Sequence, residues 1–234
     1  MLTETTEIIN QLRGYLRYYQ RLGIESLPLK SEFLKDNEYY LAQLQREVVN
    51  CNKCKRCEGR EGIIFGEGNP RARLFFVCDL PDGTREFENE ADKLLGKIIE
   101  AIGLSRKDVY ITYIVKCRYP SKDFSSNPLT ESINNSTQPS LSGEIDTCKP
   151  FLVRQVEIIR PPIICVMGEL AAQTLLVTNS PITNIRGKFY DFHGSMLMPT
   201  FSPAHLLKNP THKRLTWEDV QMVQRELILA TGRK

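Results

Sequence analysis

The chain has 234 residues, of which 41% are hydrophobic and 25% are charged, and its formal net charge is +3 at pH 7. This composition is typical of a globular protein, the longest apolar runs are too short to span a bilayer, and the N-terminus lacks the pattern of an export signal. We therefore expect a cytoplasmic protein. The weak positive charge neither requires nor excludes a nucleic-acid partner.

Two amphipathic helices are predicted at the start of the chain. Apolar side chains recur at three- and four-residue intervals from about Thr6 to Leu22, and a second helical segment follows from Ser31 to Val49. We expect these helices to form an N-terminal extension over residues 1–50. The remaining predicted elements lie in a second region, residues 51–234.

The second region alternates strands and helices. Such alternation is typical of a largely parallel sheet covered by helices on both faces. We therefore predict an α/β fold of three layers, α/β/α, with a central, mostly parallel four-stranded sheet. The predicted strands are Leu74–Val77, Val109–Val115, Ile163–Met167 and Met196–Phe201, and the predicted helices are Asn89–Ile102, Glu144–Ile159, Glu169–Leu176 and Thr216–Ala230.

The connections between these elements carry the polar motifs. In parallel sheets the ligand crevice lies beyond the carboxyl ends of the strands, and the segments CDLPD, VKCRYP, MGE and FSPAHLL fall at those ends. One connection, residues 121–143, is rich in Ser, Asn, Thr and Pro, which predicts a flexible surface insertion.

Seven cysteines are the most specific feature of the sequence. In a reducing cytoplasm, thiols at close spacing are more often metal ligands than disulfide partners. Cys78 and Cys165 lie in apolar strand-like runs, where we expect them to be small core residues. The candidate metal ligands are Cys51, Cys54, Cys57, Cys117 and Cys148.

A series of motifs follows in order along the second region: CNKC, GEGNPRARL, GLSRKDVYITYIVKCRYP, CKPFLVRQVEIIRPPIICVMGELAAQTLL, RGKF and PTFSPAHLL. This order resembles the family 4 uracil-DNA glycosylases, and the resemblance extends from Cys51 to Glu226. It implies the α/β fold of that superfamily, a DNA substrate that is single- or double-stranded, and hydrolysis of the N-glycosidic bond of uracil or another damaged base.

The resemblance also implies a four-iron, four-sulfur cluster. Its ligands correspond to Cys51, Cys54, Cys117 and Cys148, a thiolate set that suits such a cluster. Cys57 is additional, and we interpret it as a bystander. The alternative is a structural zinc ion bound by the same four cysteines, which spacing does not exclude.

Several active-site positions of the family are altered in this chain. Asp79 stands where the family has a glutamate, and it is the candidate catalytic carboxylate; capping of the following turn is the competing interpretation. Leu80 and Tyr113 are assigned to the base pocket, with Tyr113 in place of the pyrimidine-reading asparagine. Ser202 occupies the position of the histidine that stabilises the leaving base, and serine offers a shorter donor.

The DNA-handling positions match the family better. Arg186 and Lys188 belong to its Arg-Gly-Lys turn, and Leu206 lies where related enzymes insert an apolar side chain into the base stack. His205 is a further candidate at this surface. Additional cations are expected at the same rim, namely Lys116, Arg118, Lys208, Lys213 and Arg214.

Two functions remain open at this point. The first is a DNA-repair glycosylase with an atypical active site, which the family resemblance favours. The alternative is a catalytically silent iron-sulfur protein of the same fold that binds DNA or a partner, which the substitutions at Asp79, Tyr113 and Ser202 favour.

Overall fold

The computed structural model describes residues 36–80, 85–118 and 141–232 of the chain. The predicted helix from Thr6 to Leu22 lies outside the described residues, as does nearly all of the predicted insertion. Residues 37–234 fall into one compact unit.

A mixed sheet of six strands forms the centre of this unit. Its strands are β2 (Glu67–Gly68), β3 (Leu74–Cys78), β4 (Val109–Tyr113), β6 (Ile163–Met167), β7 (Tyr190–Phe192) and β8 (Ser195–Thr200), and their order in the sheet is β2-β4-β3-β6-β8-β7. The four inner strands β4, β3, β6 and β8 are parallel, whereas β2 and β7 pair antiparallel at the two edges. The predicted fold class is confirmed, and the two short edge strands are additions that the sequence analysis did not include.

A second, two-stranded antiparallel sheet joins β1 (Gly62–Ile63) to β5 (Cys117–Arg118). Its register places Ile63 opposite Cys117. This pairing brings a candidate metal ligand next to the segment that follows the first cysteines.

Helices cover both faces of the main sheet. They are α1 (Asn37–Val49), α2 (Arg85–Ala101), α3 (Leu141–Ile159), α4 (Glu169–Leu176), α5 (Ile182–Ile185), α6 (Pro203–Lys208) and α7 (Lys213–Gly232), with single 3-10 turns at Lys55–Cys57 and Pro210–His212. No helix in the described part of the chain is both long and apolar enough to cross a membrane.

Alternate side chains of the inner strands build two separate apolar clusters. Phe75 and Val77 of β3 belong to the larger cluster, with side chains from α1, α3, α4, α5 and α6. Leu74 and Phe76 belong to the smaller cluster, with side chains from α2 and α7. The period of two along a strand sends neighbouring residues to opposite faces, so the three-layer arrangement follows from the strand sequence itself.

Helix α1 is part of this core. Leu41, Leu44 and Val48 lie on one side of α1 and are buried. On its exposed side, Arg154 of α3 donates hydrogen bonds of 2.5 and 2.8 Å to the carboxylate of Glu47. The part of the predicted N-terminal extension that the structure describes therefore packs with the second region.

Gly68 makes the pairing of β2 with β4 possible. Its φ is +115°, and a Cβ atom there would lie 2.0 Å from the carbonyl oxygen of Val109. Gly96 of α2 is the opposite case, because a Cβ atom there would meet nothing within 4 Å.

We predict opposite effects of alanine at these two glycines. Gly68→Ala should lower the free energy of unfolding by roughly 2–3 kcal/mol through backbone strain and loss of the edge pairing. Gly96→Ala should raise it by about 0.5–1 kcal/mol, because alanine restricts the unfolded chain and favours the helix. Urea unfolding of both variants checks this, and equal effects would contradict it.

Candidate active site and cysteine cluster

Three loops at the carboxyl ends of the parallel strands form the candidate active site. Asp79 follows β3, Gly168 follows β6, and Ser202 comes two residues after β8. The backbone N–H of Gly168 donates to the carbonyl oxygen of Thr200 at 2.9 Å, which holds the ends of β6 and β8 together. The sheet thus delivers these residues to one edge, as expected for ligand crevices in such folds.

The Asp79 carboxylate lies against the first turn of α4. Its Oδ1 accepts a hydrogen bond of 2.8 Å from the backbone N–H of Ala171. Gly168 permits this approach, because its φ is +132° and a Cβ atom there would lie only 2.0 Å from Oδ2 of Asp79. Asp79 therefore caps a helix that is distant in sequence, a role that sequence analysis did not anticipate.

Burial raises the pKa of Asp79 to about 7. The hydrogen bond from Ala171 lowers the pKa, and the nearby charge of Glu169 raises it further. The residue keeps some accessible surface, although protein atoms surround its carboxyl group. An aspartate that changes protonation state near neutral pH is suited to general acid or base chemistry.

Ser202 caps the N-terminus of α6. Its Oγ accepts a hydrogen bond of 3.2 Å from the backbone N–H of His205. A hydroxyl oxygen that accepts in this way still carries its own O–H donor. Ser202 is therefore held in place and able to donate one hydrogen bond to a substrate.

His205 belongs to an aromatic stack. Its ring lies 4.8 Å from that of Phe201 and 5.1 Å from that of His212, and its Nε2 is 2.8 Å from Nδ1 of His212. Burial lowers the pKa of His205, the charge of His212 lowers it further, and the charge of Glu169 opposes both effects. The Nε2 atom is thus engaged within the protein.

Leu80 and Tyr113 lie on opposite faces of the sheet. Tyr113 is partly buried against the cluster shared with α2 and α7, whereas Leu80 packs against the larger cluster on the other face. This packing does not test their assignment to one base pocket, which stays a prediction.

Two residues assigned to the DNA surface have structural partners within the protein. Arg186 donates hydrogen bonds of 3.0 and 2.6 Å to the carboxylate of Asp219, which is 1% exposed and also accepts from the Thr200 hydroxyl. Leu206 is 1% exposed and belongs to the larger apolar cluster. Both side chains therefore contribute to the framework of the site, and their assignment to the DNA surface stays a prediction.

The expected basic rim is also smaller than predicted. Lys116 is 0% exposed and is not a rim residue. Its ammonium group lies inside the protein, where burial lowers its pKa to about 7. The exposed cations of the predicted set are Lys188, Lys208, Lys213 and Arg214.

The four predicted cluster ligands lie in one region. Cys51 and Cys54 flank the turn after α1, Cys117 begins β5, and Cys148 lies within α3. Arg60 bridges two of these segments, because its Nη1 donates to the Cys51 carbonyl at 2.9 Å and lies 3.7 Å from the Cys117 sulfur.

A buried ion pair joins the same segments. Nη1 of Arg56 lies 3.1 Å from Oε2 of Glu144, in the first turn of α3, and both side chains are largely buried. Nε of Arg56 donates to the Cys117 carbonyl at 2.9 Å. One arginine thus connects the first cysteine turn, β5 and the helix that carries Cys148.

The thiols act on one another electrostatically. Burial raises the pKa of Cys54, the N–H of Arg56 lowers it, and the charges of Cys117 and Cys51 raise it. Burial likewise raises the pKa of Cys148, whereas the hydrogen bond from the backbone N–H of Lys116 lowers it. Backbone N–H donors directed at cysteine sulfurs stabilise the thiolate form that metals require.

The donor set fits an iron-sulfur cluster in its chemistry. All four predicted ligands are cysteines, and such clusters are held by thiolates. Among the described residues, no three His, Cys, Asp or Glu side chains converge as ligands of a single ion would. The two remaining predictions for cysteines are confirmed, since Cys78 and Cys165 are 7% and 1% exposed in the core.

Gly168 and Glu169 were not among the predicted site residues. The signal was present in the segment MGE, where a strand passes into a helix without a loop. Glu169 accepts a hydrogen bond of 2.8 Å from the N–H of Ile182, and its charge acts on both Asp79 and His205. It is a second carboxylate at the candidate site.

Comparison with known proteins agrees with this arrangement. Residues 65–221 match the uracil DNA glycosylase superfamily. The chain is 35% identical to a type-4 uracil-DNA glycosylase of Saccharolobus solfataricus, over 77% of this chain and 83% of that protein. It is 34% identical to a type-4 uracil-DNA glycosylase of Sulfurisphaera tokodaii, over 82% and 87% of the two chains.

A bacterial relative extends the comparison. The chain is 32% identical to a type-4 uracil-DNA glycosylase of Thermotoga maritima, over 76% of this chain and 90% of that protein. The superfamily match covers the strand ends that carry Asp79, Gly168 and Ser202. The chain therefore belongs to the uracil-DNA glycosylase superfamily and, within it, to the type-4 enzymes.

Proposed function

We propose that this protein is a DNA-repair glycosylase that hydrolyses the N-glycosidic bond of uracil in DNA, acting on a base flipped out of the stack. The observation that carries the proposal is the Asp79 carboxylate, which lies at the carboxyl end of β3 with its pKa raised to about 7. The names of the type-4 relatives supply the substrate.

Asp79 has the chemical properties that base excision requires. In its ionised form, the carboxylate accepts a proton from water or stabilises the positive charge that develops on the sugar. Its Oδ1 is fixed by Ala171 at 2.8 Å, so the side chain needs little reorganisation before the reaction. Glu169 keeps a second negative charge nearby, which favours the same developing charge.

Ser202 is the candidate donor to the departing base. It occupies the family position of a histidine, and its oxygen is oriented by the N–H of His205 at 3.2 Å. A single neutral hydroxyl is a weaker stabiliser of an anionic leaving group than a charged donor. We therefore expect slow excision compared with enzymes that carry the histidine.

The proposal includes a four-iron, four-sulfur cluster on Cys51, Cys54, Cys117 and Cys148, and a reducing cytoplasmic setting in which these thiols stay available. The cluster would bind three chain segments that are far apart in sequence, which is a structural role. Arg56 and Arg60 already hold these segments together through hydrogen bonds to backbone carbonyls. Iron and zinc analysis of anaerobically purified protein distinguishes the cluster from a zinc ion.

DNA contact is assigned to the exposed cations Lys188, Lys208, Lys213 and Arg214. Such cations bind phosphates in a strongly salt-dependent manner. Trp217 lies on the same helix as Lys213 and Arg214, is 39% exposed, and is the single tryptophan of the chain. Its fluorescence is therefore a direct probe of DNA binding, with either single- or double-stranded oligonucleotides.

The competing function is a silent DNA-binding protein of the same fold. The hydrogen bond from Ala171 favours it, because a carboxylate that caps α4 has a structural reason to be present. Activity and its pH dependence separate the two functions.

We predict uracil excision that depends on ionised Asp79. In single-turnover assays on uracil-containing single- and double-stranded DNA, the rate should rise as the pH increases through about 7, because the carboxylate must lose its proton. Asp79→Asn should reduce the rate at least about 100-fold. Tight DNA binding by wild-type protein with no abasic product at any pH would establish the silent binder.

We also predict that Asp79 destabilises the fold at higher pH. Its pKa is raised in the folded protein, so between about pH 4 and pH 7 the folded state retains a proton that the unfolded state has released, and stability falls as the pH rises through that window. Asp79→Asn should therefore be more stable than wild type above about pH 7, by about 4 kcal/mol.

The control for this stability effect is Asp191→Asn, because Asp191 is an exposed aspartate on β7. Urea unfolding at several pH values should give a small, constant difference between Asp191→Asn and wild type. A difference for Asp79→Asn that does not change with pH would show that the carboxyl group is not protonated at neutral pH.

Gly168→Ala should abolish excision as thoroughly as Asp79→Ala. The new Cβ atom would lie 2.0 Å from Oδ2 of Asp79, so the carboxylate must move. Gly194→Ala is the matched control, because its φ is +81° but nothing lies within 4 Å of a Cβ atom there. Both variants carry backbone strain. Equal activities of the two variants would contradict the assigned position of Asp79.

A further inference from the structure

Lys116 has an environment that the excision reaction does not explain. Its ammonium group donates to the Thr112 hydroxyl at 2.6 Å, to the Tyr113 carbonyl at 2.9 Å and to Oε1 of Gln155 at 2.6 Å. Lys116, Thr112 and Gln155 are each 0% exposed. A fully buried lysine is rare in proteins unless it is paired.

The neighbouring hydrogen bonds fix these three groups as acceptors. The Thr112 hydroxyl donates to the Phe65 carbonyl at 2.8 Å, so its oxygen accepts from Lys116. Nε2 of Gln155 also donates to the Phe65 carbonyl, at 2.8 Å, which directs Oε1 toward Lys116. The Tyr113 carbonyl can only accept.

Three acceptors require three N–H donors. A protonated amine has three and a neutral amine has two, so the network is complete only when Lys116 is charged. A buried charge is costly without a counter-charge. In the described part of the chain, no carboxylate is hydrogen-bonded to the Lys116 ammonium group.

The cysteine cluster supplies a negative charge that acts on this ammonium group, that of the Cys148 thiolate. The backbone N–H of Lys116 is hydrogen-bonded to the sulfur of Cys148, and the charges of the two side chains act on each other. The next residue, Cys117, is a second predicted ligand, and Gln155 lies on the same helix as Cys148. Lys116 is therefore adjacent to one predicted ligand in sequence and hydrogen-bonded to a second through its backbone, while its ammonium group is held by Thr112, Tyr113 and Gln155.

We propose that Lys116 is the buried counter-charge of the thiolate-bound iron-sulfur cluster, and that it sets the reduction potential and the retention of the cluster. This inference rests on the cluster included in the proposed function. Net charge and hydrogen bonds to the sulfurs are the main protein contributions to such potentials. The charged form of Lys116, which its three acceptors require, favours the reduced, more negative state of the cluster, and low local dielectric strengthens the effect.

The test removes the charge of Lys116 while keeping an unbranched side chain that is one atom shorter. In Lys116→Met, the midpoint potential of the purified protein, followed by visible absorbance in a spectroelectrochemical cell, should become more negative. We expect at least a tenfold lower ratio of reduced to oxidised cluster at the wild-type midpoint, which is about 59 mV for a one-electron couple. Iron loss to a chelator should also be faster.

Lys149→Met is the matched control. Lys149 is next to Cys148 in sequence, but its ammonium group donates to the Thr174 carbonyl at 3.1 Å and lies outside the Lys116 network. Its removal should leave the midpoint potential unchanged. An equal shift in both variants would point to general disturbance of α3 and overturn the proposal.

The remaining outcomes are also decisive. Iron in the wild-type protein with an unchanged potential in Lys116→Met would overturn this inference and leave the proposed glycosylase intact. Zinc or no metal in the wild-type protein would remove the cluster itself, whatever the excision assay gives. If Lys116→Met does not fold, Lys116→Gln is the substitute, because it retains two N–H donors without the charge. If neither Lys116 variant folds while Thr112→Val does, Lys116 is a purely structural residue and the proposal is overturned.

Discussion

The contact between the Asp79 carboxylate and the backbone of Gly168 is the constraint on which the candidate site depends. Helix α4 begins directly after β6, so its first turn stands over the end of β3 with no loop to absorb an error in position. Only a residue without a side chain fits between them, because a Cβ atom would lie 2.0 Å from the carboxylate. The register of two strands thereby fixes the location of one acidic group.

The same edge of the sheet separates two tasks. The carboxyl ends of β3, β6 and β8 carry Asp79, Glu169 and Ser202, which can act on a substrate. The segment after β4 turns away through Lys116 into β5 and supplies a predicted cluster ligand. In the proposed function, chemistry on the base and attachment of the cysteine turn would use adjacent strand ends, which Lys116 connects through its hydrogen bond to the Tyr113 carbonyl.

The sequence was sufficient for the parts of the fold that have a sustained pattern. The bounds of β6 and α4 agree with prediction, because a continuous apolar run and a Gly boundary are strong local signals. The edge strands β2 and β7 have two and three residues, too few for a periodic pattern. Short pairings of this kind are determined by the partner strand.

The family motifs were sufficient to place Asp79 and Ser202 at the carboxyl ends of strands, where they lie in the structure. The partners of Arg186 and Lys116 were not predictable, because those partners are distant in sequence. Arg186 pairs with a carboxylate 33 positions away, and Lys116 with an amide 39 positions away. A basic residue in a basic motif is predicted to be exposed unless its internal partner is known. That partner is defined only by the tertiary fold.

The pairing of Arg186 with Asp219 has a consequence for how this surface can evolve. The guanidinium group ties the turn before β7 to helix α7 and stacks near Phe201, at 5.8 Å from its ring centre, so it is part of the framework. Lys188, two residues later, is exposed. Selection can therefore adjust the affinity for a polyanion at Lys188 while the adjacent charge stays invariant for reasons of folding. Loss of DNA binding in an Arg186 variant would therefore reflect disruption of that framework.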